Sequence, residues 1–437
     1  MTTLPLPEET RTPPLFTELG WRELLHQHTE GAGAHLLAGA TAGYVGFDPT
    51  ASSLHVGHLV GVMALVHLQR AGHRPIAMVG GGTGLIGDPS GRRSERQLLS
   101  VEAIDANVAA LQAQLERFLD FTGPQAAKVL NNADWLRRLD LIGFLRDVGK
   151  HFTVNYMLQK ESVAARMDDG ISFTEFSYML LQAYDFLELS RREGVTLQLG
   201  GSDQWGNITA GTELIRRTTG RTAHGVTLPL VTTASGEKFG KSAGNAVWLD
   251  AAQTSPYRFF QFWMQAEDAS VSRYLRFFTL LEREAIEALD LAVRERPHAR
   301  DAQRMLAREV TTRVHGADAA QAAEQVSTIL FSKGADPRAL SREALAMLRE
   351  EVPSVRYTAP ADGALPPGDV DVLQCLVLLG LCESRGAAKR VLEQGGLTVN
   401  GVKLGAADRT VRAETALAGG HLLVRKGARE YGVVVLE

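Results

Sequence analysis

The chain holds 437 residues, 45% hydrophobic and 22% charged, with a net charge of -4. That is enough for several domains with large cores, in the balance of a globular protein. It excludes a global basic field, so any nucleic-acid surface must be local. No run of about 18 apolar residues marks a membrane span, and the polar, proline-rich residues 1–14 lack the profile of a secretory signal. The two cysteines, Cys375 and Cys382, would stand about 10.5 Å apart along one helix, too far for a disulfide. They read as small core residues of a reduced, cytoplasmic protein.

Residues 1–20 are expected to be a flexible extension. Apolar runs bounded by glycine then alternate with amphipathic segments up to about residue 250. Residues 43–47 predict a strand, followed by a helix with Ser52 or Ser53 as N-cap and an end near Gly72. Residues 75–79, 195–199 and 226–231 predict further buried strands. The expected fold class is α/β, with a Rossmann-like parallel-sheet domain over residues 21–250. Ligands of such sheets gather at the carboxyl ends of the strands.

From 251 to 350 the periodicity is helical, with amphipathic stretches at 273–281, 282–294 and 302–314. Pro353, Pro360, Pro366, Pro367, Gly363 and Gly368 then predict a linker without regular structure over 351–369. A small α+β domain is expected over 370–437. It carries nine Lys/Arg against seven Asp/Glu, +2 where the rest of the chain is -6. Arg385, Lys389 and Arg390 fall on one helical stretch. Lys403, Arg409, Arg412, Arg425, Lys426 and Arg429 follow on strands and turns. By charge alone these make a solvated face.

Two short motifs carry chemistry. In His55-Val56-Gly57-His58, two imidazoles three apart share a face at a helix start, where unpaired N–H groups attract anions. Gly57 permits close approach of a flat ring. In Lys238-Phe239-Gly240-Lys241-Ser242, two cations ride on a loop flanked by Gly236 and Gly244, suited to closing over a leaving pyrophosphate. Alone, the first is a weak signal that a surface histidine pair also gives, and the second reads more readily as an exposed turn. Gly82-Thr83-Gly84-Leu85-Ile86-Gly87 matches the dinucleotide fingerprint, but Asp88-Pro89-Ser90-Gly91 is turn chemistry, and Asp88 would repel a pyrophosphate.

Further segments settle the weight of these motifs. They are residues 44–50, 84–91, 144–152, 181–186 and 200–208, the last reading Gly-Gly-Ser-Asp-Gln-Trp-Gly-Asn-Ile. With the histidine and lysine motifs, in this order, the chain resembles the bacterial tyrosyl-tRNA synthetases from about Trp21 to its end. The tail resembles a small RNA-binding domain shared with a ribosomal protein, which turns Arg385, Lys389 and Arg390 into candidate RNA contacts.

The resemblance implies a class I ligase that makes tyrosyl-adenylate from L-tyrosine and ATP, then esterifies the 3′ end of tRNA(Tyr). Tyr44 and Asp185 match the phenol-binding pair. Tyr178, Gln182 and Asp88 match the ammonium site, and Gln204 would orient the carboxylate. Asp203 and Gly201 would bind ribose, with Asp48 near both ammonium and adenosine. Thr50, His55 and His58 would meet the phosphates, joined by Arg92, Arg96, Lys238 and Lys241. Mg²⁺ would ride on phosphate oxygens, so no protein metal cage is expected. The family is dimeric, one tRNA spanning both subunits, and Phe173 matches an interface position; from the residues alone it reads as core. Phe239-Gly240 stands where Met-Ser is usual in the lysine loop, and Arg92 where lysine is frequent.

Three other readings are weaker. A tryptophanyl enzyme has no use for a hydroxyl paired with a carboxylate. A nucleotidyltransferase leaves the helical segment and the tail unexplained. A non-catalytic RNA-binding descendant sits badly with intact His55, His58, Lys238 and Lys241.

Overall fold

The computed structural model describes residues 12–90, 98–164, 167, 170–232, 239, 241–242, 245–332, 334–358, 366 and 368–436. The chain forms two compact units, one of residues 1–253 with 266–302, the other of 254–265 with 303–437. Among the described residues no helix is long and apolar enough to cross a membrane.

The first unit is built on a six-stranded sheet of β1 (Gln27–His28), β2 (Ala42–Phe47), β3 (Arg74–Val79), β4 (Lys128–Asn131), β5 (Val195–Gly201) and β6 (His224–Leu228). Its order is β1-β6-β5-β2-β3-β4. Every pair is parallel except β1 with β6. The apolar runs of β2, β3 and β5 are buried, as a sheet covered on both faces requires. From β2 the chain builds outward through β3 and β4, then returns to lay β5 on the other flank of β2. The order therefore reverses between β2 and β5, where Tyr44 pairs with Gln198. Such a switch point leaves a crevice at the strand ends. Strand β6 stops at Leu228 rather than Val231, because Pro229 has no N–H to continue the ladder.

The helix Leu59–Arg70 packs on β2 and β3. A Cβ at Gly43 would lie 2.9 Å from Leu68 Cδ2, so glycine in β2 sets that close approach. Ser52 and Ser53 do not cap this helix. It is preceded by a 3₁₀ turn, Val56–His58, whose N-cap is His55. The long helix Phe173–Glu193 starts at Ser172, whose hydroxyl accepts from Glu175 N, and ends at Gly194 with φ 67. β7 (Lys241–Ser242) and β8 (Asn245–Ala246) pair as a short hairpin.

Part of the expected flexible extension is ordered. Pro14–Trp21 is a helix that buries Leu15, Phe16 and Leu19. Just after it, the buried Arg22 guanidinium donates to Glu18 Oε1 at 2.6 Å and to the carbonyls of Arg276, Thr279 and Leu281 at 3.1, 2.9 and 2.8 Å. These carbonyls lie at and beyond the end of the helix Asp268–Phe278, where a cation is favoured. Phe173 is 77% exposed, so it is not a core residue of this chain.

The second unit holds the helices Pro256–Met264, Ala317–Phe331 and Arg342–Glu351 and most of Asp301–His315. Its strands are β9 (Ser354–Tyr357), β10 (Asp369–Asp371), β11 (Leu397–Val399), β12 (Val402–Lys403), β13 (Thr410–Arg412), β14 (His421–Lys426) and β15 (Glu430–Leu436). They make a five-stranded sheet, β12-β11-β14-β15-β9, and a β10-β13 ribbon. β9 lies in the stretch expected to lack regular structure. It runs parallel to β15, Val433 opposite Ser354, a long-range pairing that local turn signals cannot reveal. The helix bearing Cys375 ends at Leu378, so Cys382 lies beyond it; both thiols are buried and unpaired. Leu417, Leu423 and Val433 share a core with Tyr257, Val326 and Leu348. The tail sheet is thus packed on the helices.

Candidate active site

A cavity of about 320 Å³ opens at the carboxyl ends of β2 and β5. Three of its residues come from one helix. Tyr178, Gln182 and Asp185, at spacings of four and three, share a face of Phe173–Glu193 and all are buried. Tyr44 from β2 and Asp88 also line it, as do Asp48, His58, Gly201, Asp203 and Gln204. Thr50 is exposed on the turn after β2, its N–H on the Asp48 carbonyl.

At the buried end stand Tyr44 and Asp185, both fully enclosed. The Tyr44 hydroxyl has no hydrogen-bond partner. Burial, with the Asp185 charge, pushes its pKa well above the ordinary phenol value, so it stays a donor. Asp185 Oδ1 accepts from Trp135 Nε1 at 2.7 Å, and Oδ2 from Asn132 Nδ2 at 2.8 Å. Burial pushes this carboxyl up to about 7, helped by the charges of Asp48 and Glu188 and opposed by the two hydrogen bonds. An unsatisfied hydroxyl beside a carboxylate with spare lone pairs is a receptor for one more O–H group.

A second network surrounds the polar wall. Gln204 Nε2 donates to Asp88 Oδ2 at 2.7 Å, and Gln182 Nε2 to Gln204 Oε1 at 3.3 Å. Asn207 Nδ2 donates to Gln182 Oε1 at 3.0 Å. Asp88 Oδ1 accepts from Ser90 N at 2.9 Å, the turn that the Asp-Pro-Ser-Gly sequence predicts. Tyr178 OH donates to Asp48 Oδ2 at 3.2 Å. Two carboxylates, Asp48 and Asp88, with amide and phenol oxygens, suit an ammonium group.

The histidine motif is built by its own imidazoles. His55 N donates to His58 Nδ1 at 3.1 Å, and Gly57 N to His55 Nδ1 at 3.1 Å. The rings stack with centroids 3.9 Å apart. Both Nδ1 atoms are acceptors here, which leaves Nε2 to carry the proton of a neutral ring. Backbone bonds join this segment to residues 247–249: Val56 N to Val247 O at 3.0 Å and Leu249 N to Leu54 O at 2.8 Å. A Cβ on Gly57 would stand 3.7 Å from the Phe239 carbonyl oxygen, so the lysine segment passes close by. The Phe239 ring is buried, stacked on Phe278 at 5.5 Å. Arg92, Arg96 and Lys238 lie outside the described residues, and of Lys241 only the backbone, in β7, is described.

Sequence reasoning missed Asn132, Trp135, Thr83 and the part played by Asn207. Asn132 Nδ2 also reaches Thr83 Oγ1 at 2.9 Å, and Thr83 Oγ1 donates to Asp48 Oδ1 at 3.3 Å. The available signal was position: Asn131-Asn132-Ala133-Asp134-Trp135 is a polar cluster at the carboxyl end of a parallel strand. In the tail, Arg385, Lys389 and Arg390 are exposed on the helix Arg385–Glu393. Arg385 pairs with Asp371 at 2.7 Å and Lys389 with Glu393 at 3.6 Å.

Residues 38–332 match the family model of class I tRNA synthetases (W and Y), and residues 345–434 that of the tyrosine–tRNA ligase SYY-like C-terminal domain. A tyrosine–tRNA ligase of Anaeromyxobacter dehalogenans is 56% identical over 96% of this chain and 99% of its own length. One from Geobacillus stearothermophilus is 49% identical over 96% and 99%. Among solved structures, a C-terminally truncated mitochondrial tyrosyl-tRNA synthetase of Aspergillus nidulans superposes with TM-score 0.68 at 30% identity, covering 74% of this chain and 96% of that one.

Proposed function

The chain belongs to the tyrosine–tRNA ligases of class I, and from that membership we propose how its side chains divide the reaction. The enzyme joins L-tyrosine to tRNA(Tyr) in two steps. A carboxylate oxygen of tyrosine attacks the α-phosphorus of ATP, the bond to the bridging oxygen breaks, and pyrophosphate leaves. A ribose hydroxyl at the tRNA 3′ end then attacks the activated carbonyl, and AMP leaves.

The observation that carries the substrate assignment is the buried Tyr44 hydroxyl, without a partner, beside the Asp185 carboxylate. The substrate phenol accepts from Tyr44 and donates to Asp185. Phenylalanine would leave both unpaired, at about 1–3 kcal/mol for each lost partner. Tryptophan offers one N–H and nothing to accept the Tyr44 donor. The α-ammonium group sits among Asp88, Tyr178 and Gln182, with Asp48 close by. Gln204 orients the substrate carboxylate, while Asp203 and Gly201 take the ribose.

The attacking carboxylate is already ionised, so no general base is required for the first step. Positioning and charge stabilisation do the work. The Nε2–H groups of His55 and His58, with the Thr50 hydroxyl, stabilise charge on the phosphates. Arg92, Arg96, Lys238 and Lys241 add cations. ATP enters as its Mg²⁺ complex. The ion would be held by phosphate oxygens, where it would neutralise charge developing on the leaving pyrophosphate. The test is the pair Tyr44→Phe and Asp185→Asn: each should narrow the preference for tyrosine over phenylalanine in ATP–pyrophosphate exchange. A preference that stays at the wild-type value would remove the assignment.

The enzyme acts in the cytoplasm as a homodimer. The support is Phe173, 77% exposed, with Leu141 and Ile142 at 66% and 69%, large apolar side chains that a monomer seldom displays. Sedimentation of wild type and Phe173→Asp tests it: a dimer for the first and a monomer for the second is expected, and a monomeric wild type would refute it. Residues 21–250 form the catalytic domain, 251–350 the anticodon-side helices and 370–437 the RNA-binding domain, with Arg385, Lys389 and Arg390 on the tRNA backbone.

A further inference from the structure

Two side-chain amides, Asn107 and Gln114, hold the segment that carries Thr50 and His55. Neither lines the catalytic cavity. Both stand on the helix Val101–Leu115, which buries Ile104, Val108, Leu111 and Leu115 and packs beside β3 and β4. Seven residues apart, they lie two turns and about 10.5 Å from each other along one side of that helix.

Asn107 takes the near end of the segment. Its Nδ2 donates to the Pro49 carbonyl at 3.0 Å, one residue before Thr50. On its other side Pro49 packs on Gly84, where a Cβ would meet the proline Cδ at 3.1 Å. Gln114 takes the far end. Its Oε1 accepts from Leu54 N at 2.9 Å, and its Nε2 donates to Ser53 Oγ at 3.0 Å. The buried Ser53 hydroxyl also donates to the Leu54 carbonyl at 2.7 Å and accepts from Asp250 N at 3.1 Å. Its one proton and both lone pairs are thereby spent.

The same amide sets a register. His55 and Trp248 face each other in an isolated antiparallel bridge. In a regular ladder residues 54 and 249 would exchange two bonds. Leu249 N keeps its bond to Leu54 O, but Leu54 N goes to Gln114 instead. Asp250 N, next in line, goes to Ser53 Oγ. Gln114 and Ser53 thus end the ladder, and a slip of one residue would turn His55 to the other face.

We propose that Asn107 and Gln114 are positioning residues for adenylate formation, setting Thr50 and His55 against the phosphates while touching neither substrate. This rests on the assignment of Thr50, His55 and His58 to the phosphates. A buried and fully satisfied network holds one arrangement, and groups that stabilise a transition state work only when closely placed. Tyrosine is held elsewhere, by Tyr44 and the helix Phe173–Glu193. The loss of either amide should therefore fall on the chemical step.

The test is tyrosine-dependent ATP–pyrophosphate exchange by the full chain, run as two double-mutant cycles. One pairs Gln114→Met with His55→Ala, the other Asn107→Ala with Thr50→Ala. Each amide variant alone should lower kcat about tenfold, with KM for tyrosine within about twofold of wild type. Gln114→Glu keeps an acceptor for Leu54 N and should recover part of the loss. In the His55→Ala or Thr50→Ala background the same amide change should cost less than about threefold, because the group it positions is gone. An equal cost in both backgrounds would mean that the amides only stabilise the fold, and would overturn the proposal. So would an unchanged kcat in Asn107→Ala, a half-buried position that carries the test if Gln114→Met fails to fold. Wild-type exchange in both His55→Ala and Thr50→Ala would instead remove the phosphate assignment, and this inference with it.

Discussion

Asn132 donates its side-chain N–H to Oδ2 of Asp185 at 2.8 Å, and its other N–H goes to Thr83 Oγ1 at 2.9 Å. Its own Oδ1 accepts from Gly82 N at 2.7 Å. One amide thus fixes the carboxylate that meets the substrate phenol and, through Thr83, connects it to Asp48. Asn132→Ala should lower kcat/KM for tyrosine by about 10- to 100-fold, as loss of one hydrogen bond to a charged group implies. Its effect on KM for ATP should be small. Exchange kinetics over tyrosine and ATP concentrations check this, and equal losses in both substrates would argue for general disruption.

Asp185 itself provides a pH signature. Burial holds its carboxyl at about 7 in the free enzyme, far above an ordinary aspartate. The ionised form accepts the phenol O–H, so kcat/KM for tyrosine should fall as pH drops through about 7. Asp185→Asn should lose that limb and weaken tyrosine far more than ATP. Linkage sets the sign for stability: the folded value is raised above the unfolded one, so this group's contribution is present at low pH and is lost as pH rises through 7. Tyrosine, by engaging the carboxylate, should therefore raise the thermal midpoint more at pH 8 than at pH 6. Equal shifts at both pH values would contradict the assignment.

Arg22 is a structural counterpart. Its buried guanidinium serves the carbonyls of Arg276, Thr279 and Leu281. Arg22→Met leaves those acceptors without their donor, about 1–3 kcal/mol for each that water cannot reach. Differential scanning calorimetry should show the catalytic unit melting several degrees lower, with KM for tyrosine unchanged in the folded protein.

The basic helix of the tail is best tested by charge. Deleting residues 370–437 would also strip Leu417, Leu423 and Val433 from the core they share with Val326 and Leu348, so loss of charging in a truncated chain would be ambiguous. The triple change Arg385→Gln, Lys389→Gln, Arg390→Gln keeps that core. It should raise KM for tRNA, flatten its dependence on salt concentration, and leave exchange intact. Arg385 and Lys389 already face Asp371 and Glu393, so Arg390 should carry the largest single effect.

Much of this architecture could be read from the chain. The alternation of apolar strands and helices gave the parallel sheet, and residues 178, 182 and 185 lie at spacings that put them on one helical face. The roles of Tyr44, Asp48 and Asp88 came from the resemblance of long segments, since a lone tyrosine or aspartate has no periodic signature. Asn132 was illegible for a physical reason: its partner Asp185 is 53 residues away, and only the sheet brings β4's end to that helix. His55 was read as an anion ligand, yet it also caps the 3₁₀ turn that leads into the helix, its imidazole accepting from Gly57 N, while neither expected serine caps the helix itself. β9 escaped notice because its parallel partner β15 lies more than seventy residues downstream, and Pro353 beside it argued for a break.

The central claim is the identity of the amino acid, and ATP–pyrophosphate exchange without tRNA tests it directly, with tyrosine, tryptophan and phenylalanine compared side by side. Exchange driven by tyrosine, with little or none from the other two, is the predicted result. Exchange driven by tryptophan, or equally by phenylalanine, would contradict the pairing of Tyr44 and Asp185 with a substrate hydroxyl.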